Sequence, residues 1–204
     1  GGFRRLTRAV LLLLLLPVLL LAGADVSAQE GMPPQTDVAL ERQPSIRLID
    51  PDRDAATLRR IEVWRARLPA KYQRRNNFAW AIARIEGLEK SEYFAHSGIQ
   101  RLNKISGEAA EKIAGISLRP KKGRFAILCV NHNDEIEGDN CWPRHVDTEY
   151  KIIEDMARRL PDASAGGRVR LYTDLYPCAS CRYVMRQFLA AYTNVQLQVL
   201  YRER

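Results

Sequence analysis

The spacing of large, small and polar side chains predicts a β-hairpin in the middle of the chain. From residue 78 to 85 large side chains alternate with small ones, as expected of a strand whose two faces differ. Gly87 marks a turn, and residues 92–96 form a second short β-like segment. A further β-rich apolar run covers residues 124–130, which we expect to be another strand, with a polar loop after it.

The C-terminal part alternates helices with strands. Apolar residues three and four positions apart predict one helix from Thr148 to Leu160 and another from about Cys178 to Tyr192. The first helix leads to a strand at residues 168–173, and the second to a strand at residues 195–201. This order implies right-handed crossovers and parallel strands. With the hairpin, the prediction is an α/β fold whose mixed sheet is flanked by helices.

The N-terminal residues have the pattern of a secretory signal. Arg4, Arg5 and Arg8 precede an apolar run from residue 9 to 22, and small residues follow at the expected cleavage point. The run is shorter than the roughly 20 residues that span a bilayer as a helix. We expect a signal peptide over residues 1–28 and a secreted or periplasmic product with no stable membrane association after cleavage. An uncleaved anchor is the alternative.

The segments that follow predict a linker and an accessory helix. Residues 29–51 hold four prolines and no sustained period, which indicates a poorly ordered linker. Residues 52–71 predict a helix capped by Asp52 or Asp54, and residues 72–204 are expected to form the main domain.

Composition agrees with a globular protein and leaves the partner open. The chain is 46% hydrophobic and 27% charged, which excludes collagen-like, polar disordered and multi-span membrane classes. It has 32 Lys and Arg against 24 Asp and Glu. A surplus of this size is found both on nucleic-acid-binding proteins and on ordinary solvated surfaces, so charge alone does not distinguish these two possibilities.

Chemically active side chains occur at the starts of both C-terminal helices. Glu149 falls on the inward stripe of the first helix, although a glutamate in a first turn can also serve the helix dipole. Cys178 and Cys181 fall on the inward stripe of the second helix, where unpaired N–H groups and the dipole favour thiolates. By themselves these cysteines allow a redox dithiol, a local disulfide or two core thiols.

The topology brings the two helix starts together. Because successive helix N-termini in parallel α/β units lie at one edge of the sheet, Asp147, Glu149, Cys178 and Cys181 can converge. Two thiolates and one further ligand would leave a fourth position on Zn²⁺ for water, and a carboxylate nearby could move that water's protons. The pattern predicts a zinc site, with Asp147 at the cap of its helix.

A known family shares these motifs. The segments 145–153, 171–173 and 177–181, followed by Gln187-Phe188, resemble the zinc-dependent nucleobase deaminases, and among them the deaminase domains of bacterial polymorphic toxins. The pair His-x-Glu and Pro-Cys-x-x-Cys is specific at this spacing. The resemblance covers roughly residues 73–204.

The resemblance implies a three-layer cytidine deaminase-like fold with a mixed sheet of about five strands. It also implies that Asp147, Cys178 and Cys181 hold the zinc, that Glu149 is the proton shuttle, and that Asn77 contacts the substrate. The implied activity is hydrolysis of the exocyclic amine of a nucleobase, cytosine in single-stranded nucleic acid or a nucleotide first among them. The implied role is an exported toxin, with a neutralising immunity protein as a candidate partner.

One position departs from the better-known members of this superfamily. They have His where this chain has Asp147, so that the bare ligand set carries one more negative charge and bound water would be acidified less. His145 is an alternative metal ligand from the preceding loop. Two other functions stay open at this point: a non-catalytic exported module with a disulfide or structural metal at the Cys-x-x-Cys, and a degenerate deaminase that binds nucleic acid without turnover.

Four further residues lie outside the motif and have alternative roles. Cys129 and Cys141 do not fit the deaminase motif, and in an exported protein they are candidates for a disulfide, with two separate thiols as the alternative. Trp142 and Tyr176 flank the expected site, where they could stack on a base or serve packing.

Overall fold

A mixed five-stranded sheet organises residues 41–202, the part of the chain that the computed structural model describes. The signal peptide predicted over residues 1–28, and the linker as far as residue 40, lie outside the described residues. The elements in chain order are β1 (Ser45–Leu48), α1 (Ala55–Arg65), α2 (Ala70–Gln73), β2 (Phe78–Ile85), β3 (Glu92–His96), α3 (Glu108–Lys112), β4 (Cys129–Val130), β5 (Trp142–Pro143), α4 (Thr148–Arg159), β6 (Gly167–Thr173), α5 (Ala179–Ala191) and β7 (Val195–Tyr201).

The strand order in the main sheet is β1-β7-β6-β2-β3. The central strand β6 runs parallel to β7 and antiparallel to β2, while β2 and β3 form the antiparallel hairpin. The hairpin and the parallel C-terminal pair are therefore confirmed, and the chain has the cytidine deaminase-like α/β architecture. β4 and β5 pair with each other in a separate two-stranded ribbon, and Val130 of β4 also forms an isolated bridge with Ile136.

Two hydrophobic clusters cover the two faces of the sheet. On one face α4 and α5 pack against the small side chains of β2 and the inward residues of β6 and β7. On the other face α1 and the segment between β3 and α3 cover the large residues Trp80, Phe94 and Tyr172. Because large and small residues alternate along β2, its small side chains face the cluster under α4 and α5, and its large side chains face the cluster under α1. None of the helices described in residues 41–202 is long and apolar enough to cross a membrane.

The prediction of a disordered linker is wrong for its C-terminal residues. Ser45–Leu48 form β1, which pairs in parallel with β7 at the edge of the sheet. Pro44 and Pro51 bracket this strand, and prolines are tolerated at the borders of edge strands because no inner ladder bond is lost there. The side chain of Arg42 also donates hydrogen bonds to backbone carbonyls at the end of α5, at 2.8 Å from Leu189 O for the nearest. The segment is part of the folded domain.

The accessory helix is present as α1, which ends at Arg65, and Ile61 of the helix and Leu68 just after it pack on the sheet. Asp54 precedes its first turn, as predicted, but its carboxylate makes no capping bond to the helix. Instead, the carboxylate accepts a bidentate pair of hydrogen bonds from Arg47, at 2.6 and 2.8 Å, which connects the start of α1 to β1.

The strand predicted over residues 124–130 is also wrong, except at its last two residues. The backbone N–H groups of residues 124, 125, 126 and 128 donate to side chains of α4 and α5. Arg124 N and Phe125 N donate to Glu154, Ala126 N donates to Gln187 Oε1 at 2.9 Å, and Leu128 N donates to Ser180 Oγ at 3.0 Å. Because these partners replace a neighbouring strand, the apolar run lies over α4 and α5, and β1 supplies the fifth strand of the sheet instead.

Candidate active site

The candidate site lies where α4 and α5 begin, at the carboxyl end of β6. Asp147 occupies the N-cap position of α4 with an extended backbone (φ −66°, ψ 146°), so it stands before the helical geometry starts. Cys178 occupies the N-cap position of α5, after Pro177, and its sulfur accepts a hydrogen bond from the backbone N–H of Cys181 at 3.5 Å. Both helices thus present a potential ligand at their N-cap residue.

Three potential metal ligands come together here. Sγ of Cys178 lies 3.3 Å and Sγ of Cys181 lies 3.4 Å from Asp147 Oδ2, and the three donor atoms lie within 4.8 Å of one another. Sulfur and oxygen ligands of one tetrahedral Zn²⁺ are separated by about 3.6 Å, from typical metal–ligand distances. The spacing and the donor types therefore fit zinc, with room for a fourth ligand that the protein does not supply from this cluster.

The electrostatics of the cluster also favour a cation. The hydrogen bond with Cys178, burial and the nearby carboxylates all raise the pKa of the Cys181 thiol well above its ordinary range. A divalent cation among the three donors would offset that repulsion and stabilise both thiolates.

Glu149 lies beside this cluster and is 2% exposed. Its Oε1 accepts a hydrogen bond from Thr173 Oγ1 at 2.7 Å, and its Oε2 accepts one from Thr148 Oγ1 at 2.9 Å. Oε2 is also 3.7 Å from Cys181 Sγ. Burial, and then the charge of Asp147, raise the pKa of Glu149. A carboxyl group held in this way can take up and release a proton closer to neutral pH than an exposed one.

Asn77 joins the hairpin to the same network. Its Nδ2 donates to Thr148 Oγ1 at 2.8 Å and to Thr173 Oγ1 at 2.9 Å, and these are the two hydroxyls that bind Glu149. Its Oδ1 accepts from the backbone N–H of Leu175 at 3.2 Å. The structure therefore brings Asn77 into the site, where Thr148 and Thr173 each bridge its side chain to one oxygen of Glu149.

The two threonines were missed by the sequence reasoning. Thr148 lies between Asp147 and Glu149 in the motif, and Thr173 is the last residue of β6, with its side chain on the same face as Leu171. That parity, which points Thr173 at the helix starts, is the signal that could have found it.

Arg144 is a third residue that the sequence motifs did not indicate. Its Nε is 3.5 Å from Asp147 Oδ2, and its guanidinium lies over the Trp142 ring, 4.3 Å from the ring centroid. Burial lowers the pKa of Arg144, but Asp147 and Cys178 raise it by more, so the group keeps its charge. Two thiolates and a carboxylate with Zn²⁺ would carry one net negative charge, which the nearby Arg144 guanidinium would offset.

His145, the alternative ligand, is not a member of the donor cluster found within the described residues. Burial, and then the nearby Arg119, lower the pKa of His145. The half-buried imidazole is therefore disfavoured as a cation.

The four cysteines and the two aromatic residues considered in the sequence analysis fall into three groups. Cys129 and Cys141 form a disulfide, with Cα atoms 5.3 Å apart, which confirms the pairing considered for an exported protein. Cys178 and Cys181 are free thiols. Trp142 and Tyr176 are 40% and 52% exposed, and the guanidinium groups of Arg144 and Arg182 lie over one face of each ring.

The fold and the placement of these groups define the class of protein. A mixed sheet with two helices starting at one edge, a three-donor cluster at those starts and a buried glutamate beside it are typical of the cytidine deaminase-like proteins. A family model described as Toxin-deaminase, the BURPS668_1122 family of deaminases, matches residues 61–203. The chain belongs to this family and contains a deaminase domain of the toxin type. No curated protein and no solved structure matches the chain.

Proposed function

We propose that this chain is a zinc-dependent hydrolytic deaminase that acts on a nucleobase. Asp147, Cys178 and Cys181 would hold the metal, and Glu149 would be the catalytic acid and base. The observation that carries the proposal is the buried Glu149 carboxylate, whose Oε2 lies 3.7 Å from Cys181 Sγ at the rim of a three-donor cluster.

When bound, zinc would supply the Lewis acidity that makes a water molecule reactive near neutral pH. The protein moves the protons. Glu149 Oε2 accepts a proton as the water oxygen attacks the base carbon that bears the amine, and it then donates a proton to the departing nitrogen. A C–O bond forms, the C–N bond breaks, and ammonia leaves with the keto base as the other product.

The two threonines position this carboxyl group. Because Thr148 and Thr173 each occupy one oxygen of Glu149, its carboxylate plane is held fixed relative to Cys181. Asn77 donates to both hydroxyls and so orients their own donated hydrogens toward Glu149. The geometry is preorganised before any substrate enters.

We propose cytosine, in single-stranded nucleic acid or a nucleotide, as the first substrate to examine. The exposed rings of Trp142 and Tyr176 offer stacking surfaces for a base, and single strands expose base edges that a duplex hides. Export as a toxin accords with the signal-like residues 1–28 and with the Cys129–Cys141 disulfide, since such bonds persist in oxidising compartments. An immunity protein that neutralises the toxin in the producing cell is the expected partner.

Glu149→Gln tests the mechanism directly. The amide keeps the shape of the side chain but cannot carry the proton, so we expect zinc content to be retained and turnover to fall by at least about 10³-fold. The readouts are metal content per chain and ammonia release from cytosine-containing single strands.

The matched control is Glu154→Gln, a buried glutamate on the same helix that accepts backbone hydrogen bonds from Arg124 and Phe125. It should lower stability and leave kcat within a few-fold. Full activity in Glu149→Gln would refute the assigned role.

The substrate is identified by incubating the zinc-loaded protein with mixed single-stranded DNA and RNA and sequencing the products. C-to-T changes support cytosine. A-to-G changes would replace it with adenine, and an unchanged pool together with ammonia release from free nucleotides would place the activity on nucleotides.

A further inference from the structure

The sheet face away from α4 and α5 is divided into an apolar part and a basic part. Near the carboxyl end of β6, Trp80, Tyr172 and Leu200 are in cross-strand register and lie buried beneath α1 and its neighbours. Toward the other end of β6 this cover stops. The strands there carry polar side chains that face an open groove of about 610 Å³, bordered on one side by α1.

Two cross-strand rows form the floor of this groove. Arg84 on β2, Arg168 on β6 and Gln196 on β7 make the first row. Ile82, Arg170 and Gln198 make the second. We call this surface, with Arg60 and Thr57 of α1 at its border, the arginine groove.

Most of the positive charge in the arginine groove is uncompensated. Arg60 is paired with Glu92. Arg170 is held by neutral partners, with Nε 2.9 Å from Gln198 Oε1 and a terminal nitrogen 3.3 Å from Thr57 Oγ1. Arg84 and Arg168 stand directly opposite each other on antiparallel strands, both are exposed, and neither makes an ion pair with any residue in the described part of the chain.

This arrangement costs stability in the isolated domain. Like charges directly opposite on paired strands repel, whereas opposite charges or a polar residue there would be neutral or favourable. Three exposed guanidinium groups on two adjacent strands, with the lining carboxylate of Glu92 already paired with Arg60, fit an anionic ligand that supplies the missing charge.

We infer that the arginine groove binds the phosphate backbone of single-stranded nucleic acid, the substrate class of the proposed deaminase, on which this inference rests. Guanidinium forks and glutamine amides donate hydrogen bonds to phosphate oxygens without reading the base sequence. Arg168 and Arg170 are two residues apart on one strand, so their Cα atoms are about 6.6 Å apart, and successive phosphates can be bound in turn.

The groove and the site share strand β6 but lie on opposite faces of the sheet. Arg170 precedes Thr173 by three residues, which is about 10 Å along the strand. A single strand that contacts both places must therefore pass round an edge of the sheet, which requires more than a few nucleotides. A second copy of this chain is a poor occupant, because two arginine grooves would face each other with the same charge.

Binding is tested with the full-length, zinc-loaded chain in a Glu149→Gln background, which keeps the nucleic acid unmodified. The probe is a labelled 20-nucleotide single-stranded DNA, followed by fluorescence anisotropy between 50 and 300 mM salt. Arg84→Gln with Arg168→Gln should weaken binding about 5-fold to 25-fold at 0.1 M salt, and should reduce the slope of log affinity against log salt by about 1.4, because two phosphate contacts are lost.

The matched control is Lys121→Gln with Lys122→Gln, which removes the same charge from an exposed segment beside α4. It should change the affinity by less than about twofold. An equal loss of affinity in the two double variants would mean that binding depends on general charge attraction, and would overturn the assignment of the groove as the binding site. Unchanged binding in the arginine variant would overturn it as well and would leave an acidic protein as the occupant to examine.

Two further measurements distinguish a failure of nucleic-acid binding by the groove from a failure of the proposed deaminase activity. The thermal midpoint of the arginine variant should be no lower than that of the parent, since repulsion across β2 and β6 is relieved, and a lower midpoint with lost binding would indicate misfolding and overturn the assignment. In the active background, the ratio of kcat/KM for the 20-mer to that for a cytidine nucleotide should fall. If no variant, including the parent, deaminates any base, the proposed function fails while the binding difference still reports on the groove.

Discussion

The two cysteine pairs of this chain have opposite chemistry, although each lies at the start or end of regular structure. Cys129 and Cys141 are 12 residues apart, on and next to the two strands of a small ribbon, and they are bonded to each other. Cys178 and Cys181 lie three residues apart at the start of α5, are free, and both direct their sulfur at Asp147 Oδ2. The neighbouring carboxylate and the helix start, more than the distance between the cysteines, mark the pair that can hold a metal.

Among changes to the two cysteine pairs, Cys181→Ser is expected to have the largest effect on zinc content and turnover. Removal of one thiolate from a three-ligand set should release the zinc and reduce turnover at least about a thousandfold, because Lewis acidity at the site contributes several kcal/mol. Metal content and ammonia release are the readouts. The Cys129–Cys141 bond should be unaffected, which thiol counting before and after reduction checks. Stoichiometric zinc in an active Cys181→Ser protein would remove the distinction between the pairs.

A smaller and different effect is expected when Cys129 and Cys141 are both changed to Ser. Closing a loop of this length constrains the unfolded chain, so the loss should lower the free energy of unfolding by about 3 kcal/mol. Urea denaturation of the oxidised parent, the reduced parent and the variant measures it. Zinc content should not change at temperatures where the variant is folded. Zinc loss from the folded variant would show that the ribbon supports the metal site and that the two pairs are not independent.

The finest distinction concerns the charge around Cys178 and Cys181. Arg144→Gln should weaken zinc affinity about tenfold, since its guanidinium no longer cancels the extra charge from Asp147. In an Asp147→His background, where the ligand set with Zn²⁺ is already neutral, the same change should have an effect of about twofold or less. Competition with a chromogenic chelator measures both.

Arg159→Gln, at the far end of α4 and paired with Asp155, is the control and should leave the affinity unchanged. If Arg144→Gln costs the same affinity in both backgrounds, Arg144 acts through packing on Trp142 and not through charge compensation.

The helices and strands around the site could be predicted because their signals are local. The stripe through Ile152, Ile153 and Met156 and the apolar strand ending at Tyr201 each depend on neighbouring residues alone. The candidate ligands followed, since parallel topology places successive helix starts at one edge. The fold class was therefore accessible from the sequence.

The misplaced segments depend on distant partners. Residues 45–48 alternate polar and apolar side chains, but four residues in a proline-containing segment are too few to indicate a strand, and pairing with the edge of β7 makes them one. Residues 124–128 have β-like composition, but Glu154, Gln187 and Ser180 bind their backbone in place of another strand. Arg144 acquires its role only when its loop meets Asp147. Such tertiary contacts leave no periodic trace in the chain.

The pairing of β1 with β7 joins the first described strand to the last, and this has a consequence for folding order. Contacts between residues so far apart in sequence form late, because a long loop must close before they can be made. During synthesis, β1 emerges first and has no partner until the residues through Tyr201 follow it. The sheet that carries Thr173 thus gains its outer edge only when the whole domain has been made, so a partly synthesised chain lacks the completed scaffold of the site.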